Sequence, residues 1–223
     1  MFQRWELLTF LHWRFEPEPI RRLLPRGLTL DTFEGAAWIG LTPFRVAGLR
    51  PPFGPAIPWI SRFPETNVRT YVRGPEGERG VWFFTLEAGR LAAVLGARLS
   101  YRLPYRWSHM SVRRAGGRIE YRSRRSRIFG KGMSHITIQP GKPIHSDAFD
   151  NFLTARFRLY AAYRGRLAFA QVEHEPWALQ TGTVVSLDQT LFENSGVPPP
   201  IGVPVVHYSE SIFVRIGRLK WLT

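Results

Sequence analysis

The segment LSYRLPYRWSHM, Leu99 to Met110, gathers Tyr101, Tyr105, Trp107, Arg102, Arg106 and His109 around Pro104. Guanidiniums fork onto carboxylates and phosphates, phenols donate or accept through one hydroxyl, and aromatic faces stack on bases. Three readings are open on residue types alone: the wall of a chemical site, a basic aromatic surface for nucleic acid, or an ordinary strand.

A second concentration of charge is SVRRAGGRIEYRSRRSR, Ser111 to Arg127. Its arginines at 113, 114, 118, 122, 124, 125 and 127 flank a Gly-Gly turn, and Tyr121 offers a ring for stacking. Val112, Ile119 and Tyr121 also alternate well enough for a plain hairpin with a solvated arginine face, where charge runs ordinarily lie. The other motifs exclude more than they suggest. FGKGMS, Phe129 to Ser134, lacks the glycine spacing of a phosphate-binding loop and reads as a glycine turn. No two histidines have metalloprotease spacing, and Glu173-His174-Glu175 on a strand sends its carboxylates to one face and its imidazole to the other. His145-Ser146-Asp147 holds the types of a catalytic triad as neighbours, which is the wrong geometry, so Asp147 reads as a helix cap. With no cysteine, disulfides and thiolate chemistry are out. No metal and no cofactor is expected, and no catalytic residue is identified.

The elements that must position these groups are mostly strands. Asn67–Arg73 and Gly80–Ala88 flank a turn-rich GPEGERG, a second hairpin turns at Ala115, Gly116 and Gly117, and LAFAQVEHE, ALQTGTVVSL and VVHYSESIFVRIG follow. Helices are expected at Pro17–Leu24, at Ala88–Arg98 through Leu91, Val94 and Leu95, and at Asp147–Tyr163. The last is the longest, with a stripe of Phe149, Phe152, Leu153, Arg156, Phe157 and Tyr160 and Gly165 past its end. The expected class is therefore mainly β with a few helices (α+β), a strongly curved antiparallel sheet or barrel.

At 223 residues, 44% of them hydrophobic, the chain suits one domain spanning 1–223. The nearest thing to a break, Gly48–Pro58, reads as a packed loop because it carries Phe53 and Ile57, with Trp59 following. The formal charge of +14 is almost entirely arginine, Lys131, Lys142 and Lys220 being the only lysines, a bias that coding composition or heat adaptation produces as readily as function. The first residues lack a signal peptide's apolar run, and no segment reaches the roughly 18 apolar residues of a membrane span. The expectation is a soluble cytoplasmic protein with no membrane partner. Nothing in the sequence marks an oligomeric state.

Five segments, read in order, carry a family resemblance: LHWRFEPEPIRRLLPRGLTLDTFEGAAWIGLTPFRV, PETNVRTYVR, LPYRWSHM, NFLTARFRLYAA and VVHYS. They resemble the DUF2071, or YqjF-like, family of bacterial proteins over nearly the whole chain. That family is remotely similar to acetoacetate decarboxylase, which implies a curved antiparallel β-barrel with an internal cavity. In the decarboxylase a segment with two lysines after a proline supplies a Schiff-base amine activated by a neighbouring cation. Here Leu103-Pro104-Tyr105-Arg106 stands against it, so Tyr105 and Arg106 replace the lysines. Arginine stays protonated and a phenol forms no imine, which removes that chemistry.

The resemblance then leaves a cavity suited to an anion or to polarising an oxygen, with Arg106 for a carboxylate and Tyr101 or Tyr105 as hydroxyl donor. Strand alternation sets Asn67, Arg69 and Tyr71 on one face, so Arg69 joins if that face is interior. Arg69, Tyr101, Tyr105 and Arg106 are the expected ligand-binding set for a small anionic or carbonyl-bearing molecule. The competing account places Arg69 and Arg106 in ion pairs with Glu65 or Glu87. A different class of function, a non-enzymatic nucleic-acid or polyanion binder using hairpin 111–127, is the alternative.

Overall fold

Alternation of buried and exposed residues defines most strands. In β7 (Arg118–Arg125) Ile119, Tyr121, Ser123 and Arg125 are buried, while Arg118, Arg122 and Arg124 face solvent. The computed structural model describes residues 1–56 and 58–222. Before β7 the chain forms β1 (Phe2–Phe15), α1 (Pro17–Arg21), β2 (Thr29–Leu30), β3 (Ala37–Arg50), β4 (Phe63–Arg73), β5 (Arg79–Ala88), α2 (Leu91–Tyr101) and β6 (Tyr105–Ala115). After it come β8 (Met133–Pro143), α3 (Ala148–Thr154), β9 (Arg158–Tyr163), β10 (Arg166–His174), β11 (Gln180–Gln189), β12 (Val205–Ile216) and β13 (Lys220–Trp221).

The sheet is curved and ring-like because two strands each serve two neighbours along one edge. β5 pairs in parallel with β9 at Val81 and Trp82 and with β6 at Leu86–Ala88. β12 pairs with β11 at His207 and Tyr208 and with β10 at Val214–Ile216. Their other edges take β4 and β1. Two closed circuits of paired strands therefore share β4, β5, β12, β1 and β3; β9 and β10 complete one, and β6, β7, β8 and β11 the other. Parallel pairing of β5 with β6 demands a crossover, and α2 supplies it.

Two buried clusters fill the circuits. One joins Leu11, Ile39, Val68, Ile119, Ile136 and Tyr208; the other joins Tyr71, Leu86, Leu103, Phe152, Leu159 and Val214. A β-bulge opposite Val68 and Arg69 puts one extra residue, Phe84, into β5. It switches the parity of that strand, so Val81 and Phe83 before it and Leu86 after it reach the same interior space.

The helix expected over Asp147–Tyr163 stops at Thr154, and α2, at 11 residues, is the longest. Asp147 does cap α3, in a capping box with Asp150. The early end has a physical cause. The last carbonyls of a helix lack intrahelical donors, and here side chains take them: Arg156 Nε donates to Phe152, Tyr71 Oη to Leu153 and Trp177 Nε1 to Thr154. Arg158–Tyr163 then joins the sheet, and Arg164 and Gly165 form a hairpin turn with positive φ of 50° and 78° rather than a helix terminus.

On α2 the expected apolar stripe splits: Val94 is buried, whereas Leu91, Leu95 and Leu99 are exposed. Phe53 and Trp59 are likewise exposed, contrary to the packed loop expected there; Ile57 lies outside the described residues. Among the described residues no helix is long and apolar enough to cross a membrane.

Candidate functional site

Glu65, Asn67 and Arg69 alternate along β4 and present one polar row to a largely apolar cavity of about 290 Å³. Phe44, Phe63, Phe83 and Trp177 supply its aromatic walls, α2 contributes Ala92, Ala93, Gly96, Ala97 and Ser100, and Tyr101 and Tyr105 close one side. By the rise of a strand, the Cα atoms of Glu65 and Arg69 lie about 13 Å apart. The cavity is thus polar at two separated places.

At the first place Tyr105 Oη donates to Glu65 Oε2 at 3.1 Å. Burial pushes the Glu65 carboxyl up to about 8, with the Tyr105 hydrogen bond pulling weakly the other way. Tyr105 is itself held well above its ordinary value by burial and by Glu65. At neutral pH both groups therefore carry protons, and the pair can hydrogen-bond a ligand oxygen.

The second place is cationic. Arg69 and Arg156 both lie over the ring of Tyr71, at 5.8 and 4.7 Å. Arg156 Nη1 is paired with Asp31 at 2.7 Å, but Asp31 also takes Arg73 and Arg79, and Arg156 Nη2 is buried with no partner. Arg69 is 6% exposed, forms no ion pair among the described residues and donates only one hydrogen bond, Nη2 to the Leu153 carbonyl at 3.4 Å. Its Nε is buried and unsatisfied, as is Asn67 Oδ1.

The surroundings hold this geometry without neutralising it. Tyr71 spends its one hydrogen on the Leu153 carbonyl, so the hydrogen between it and His12 Nε2 belongs to the imidazole, at 2.5 Å. Burial, then Arg69, keeps His12 well below its ordinary value and hence neutral. His174 also faces the cavity, wedged between Phe157 and Trp177 with Nδ1 donating to the Glu175 carbonyl at 2.7 Å, and burial lowers its pKa.

Of the four residues expected from sequence, Arg69, Tyr101 and Tyr105 line this cavity. Tyr101 has its hydroxyl committed to the Gly217 carbonyl at 2.9 Å. Arg106 does not line it. Adjacent to Tyr105 on a strand, it points to the opposite face, into a surface depression with Trp82, Phe84, Arg98 and Arg102. The expected ion pairs are absent too: among the described residues neither Arg69 nor Arg106 pairs with Glu65 or Glu87, and Glu87 is taken by Arg125 at 2.5 Å. Arg156 and His174 are lining residues that the sequence does not point to, whereas alternation sets Asn67 on the face of Arg69 without its entering the expected ligand-binding set.

The hairpin 111–127 has six exposed arginines, but Arg125 is buried and Tyr121, 2% exposed, gives its hydroxyl to the Leu7 carbonyl, so its ring is not free to stack on a base. Lys131, Lys142 and Lys220 are exposed and none lines the cavity. Among the described residues no group of His, Asp and Glu could hold a metal ion.

A ring-like, mainly antiparallel sheet around such a cavity is the acetoacetate decarboxylase-like fold. The acetoacetate decarboxylase of Legionella pneumophila superposes with a TM-score of 0.67 at 14% identity, over 100% of this chain and 87% of that one. The enduracididine biosynthesis enzyme MppR, solved with the condensation product of pyruvate and imidazole 4-carboxaldehyde, gives 0.70 at 16% identity, over 100% and 89%. Within that fold the chain belongs to the DUF2071 family, described as an uncharacterized conserved protein, whose model matches residues 2–212. It is 37% identical to the uncharacterized protein YqjF of Bacillus subtilis (strain 168), across 99% of this chain and 92% of that protein.

Proposed function

We propose that the protein binds a small anionic molecule bearing a carbonyl or hydroxyl oxygen in this cavity, by hydrogen bonds and charge rather than through a Schiff base. The observation that carries the reading is Arg69: a buried guanidinium with an unsatisfied Nε, beside a second arginine on the same tyrosine ring, and with no acid paired to it among the described residues. A buried charge is costly unless paired, and a ligand carboxylate supplies the pair. Glu65, protonated at neutral pH, adds no repulsion and offers its hydrogen to an oxygen, while Tyr105 fixes its orientation. That MppR, of the same fold, is solved with pyruvate and with a condensation product of pyruvate is consistent with the reading.

Thermal melts with a library of small carboxylic and keto acids test it. Arg69→Ala should lose binding by about 30-fold or more, since a desolvated charge-assisted pair is worth about 2–5 kcal/mol. Arg106→Ala, outside the cavity, should bind as wild type does. If no acid shifts the wild-type melt while duplex DNA binds with a steep salt dependence, the exposed arginines of hairpin 111–127 are the functional surface instead.

A further inference from the structure

The cavity is mostly apolar, and its shape constrains what accompanies the anion. Arg69 lies at the end of the polar row next to α3; the row passes Asn67 and Glu65 and reaches Phe63, beside α2. Beyond Glu65 the β walls are the apolar Phe44, Leu49 and Phe63, facing the small side of α2; Met1, which carries the N-terminal amine, and Gln3 line the cavity as well. Apart from Tyr101 at its end, the α2 residues on that side are Ala, Gly or Ser, and a Cβ added at the exposed Gly96 would meet nothing within 4 Å. Helices normally fill such a face with leucine, and α2 has leucines at 91, 95 and 99, but they point away and are exposed. The small face therefore leaves room in a cavity of about 290 Å³.

We infer that the ligand is an amphipathic monocarboxylate, its carboxylate on Arg69 and its apolar body lying under α2, where Gly96 and Ala97 set the permitted length. The inference rests on the anion reading above and adds the class of molecule. It also assigns α2 a role in specificity: the crossover helix acts as the adjustable end wall. Apolar contact with Phe44, Phe63 and Leu49 gives the tail its affinity, and the helix gives it a limit.

The test is isothermal titration of the full chain with acetate, butanoate, hexanoate, octanoate and decanoate, with Trp5 and Trp177 fluorescence as a second readout, since both line the cavity. Wild type should gain about fourfold in affinity per added methylene until the tail meets α2, and fall beyond that length within the series. Gly96→Leu fills the open space and replaces a helix-interior glycine with a strong helix former, so it should fold at least as well while moving the break to shorter acids. Arg69→Ala should lose the whole series. Affinity flat across the series, with Arg69→Ala still abolishing it, overturns the amphipathic ligand and leaves the anion site standing. An unmoved break in folded Gly96→Leu overturns the role of α2. Binding of octanoate that survives Arg69→Ala overturns the carboxylate placement, and no binding of any acid overturns both readings.

Discussion

Tyr105, at the start of β6, donates its hydroxyl to Glu65 near the start of β4, 3.1 Å away inside the cavity. The contact joins Tyr105 to a carboxyl that the sequence offers only as an ion-pair partner. Burial, against the pull of that hydrogen bond, makes the carboxyl a titrating group near neutrality, at about 8.

Stability should respond accordingly. Between the ordinary value of 4.5 and about 8 the folded state holds a proton on Glu65 that the unfolded chain has released. Stability therefore falls as pH rises through that window and levels above it. Glu65→Gln removes the effect, so its gain over wild type should be near zero at pH 5 and grow towards pH 8, to a few kcal/mol at about 1.4 kcal/mol per unit. Urea melts of both proteins across pH measure it; a gain independent of pH would mean that Glu65 is not held protonated.

The buried pair of Glu87 and Arg125 is fully satisfied, with Ser108 and Thr85 also donating to Glu87, at 2.6 and 2.8 Å. Arg125→Met alone should destabilise by about 3–5 kcal/mol, because it strands a carboxylate in the interior. Adding Glu87→Leu should recover most of the loss. Equal melts for the single and double variants would contradict this account.

α3 holds the cationic end of the cavity by its last carbonyls, so its cap has a remote effect. Asp147→Ala should cost about 1 kcal/mol in urea unfolding. Hydrogen exchange should rise at Leu153 and its neighbours before it rises in β4. Unchanged exchange in α3 would show that the Tyr71, Arg69 and Arg156 contacts hold the helix without its cap.

The three lysines lie outside the cavity, so borohydride added with acetoacetate or a similar ketone should leave all three unmodified. A stoichiometric adduct mapped to Lys131, Lys142 or Lys220 would place amine chemistry somewhere this structure does not suggest.

The sequence by itself determined the strands from β4 to β7 and from β10 to β12, both hairpins and the cap at Asp147, since turn chemistry, alternation and residue type are local properties. Local rules also separate Tyr105 from Arg106 by face, but which face is interior depends on how the sheet closes, and that closure depends on β5 and β12 each taking two partners along one edge. The stripe from Phe149 to Tyr160 has helical period, yet its second half is a strand. Side chains distant in sequence, Tyr71 and Trp177, take the helix's last carbonyls, and the edge of β5 takes the following residues. The same tertiary contacts bring Arg156 beside Arg69 on Tyr71 and leave only one of the two with an acid. No spacing along the chain encodes that imbalance, because it arises from which of several arginines reaches Asp31 once the sheet has curved.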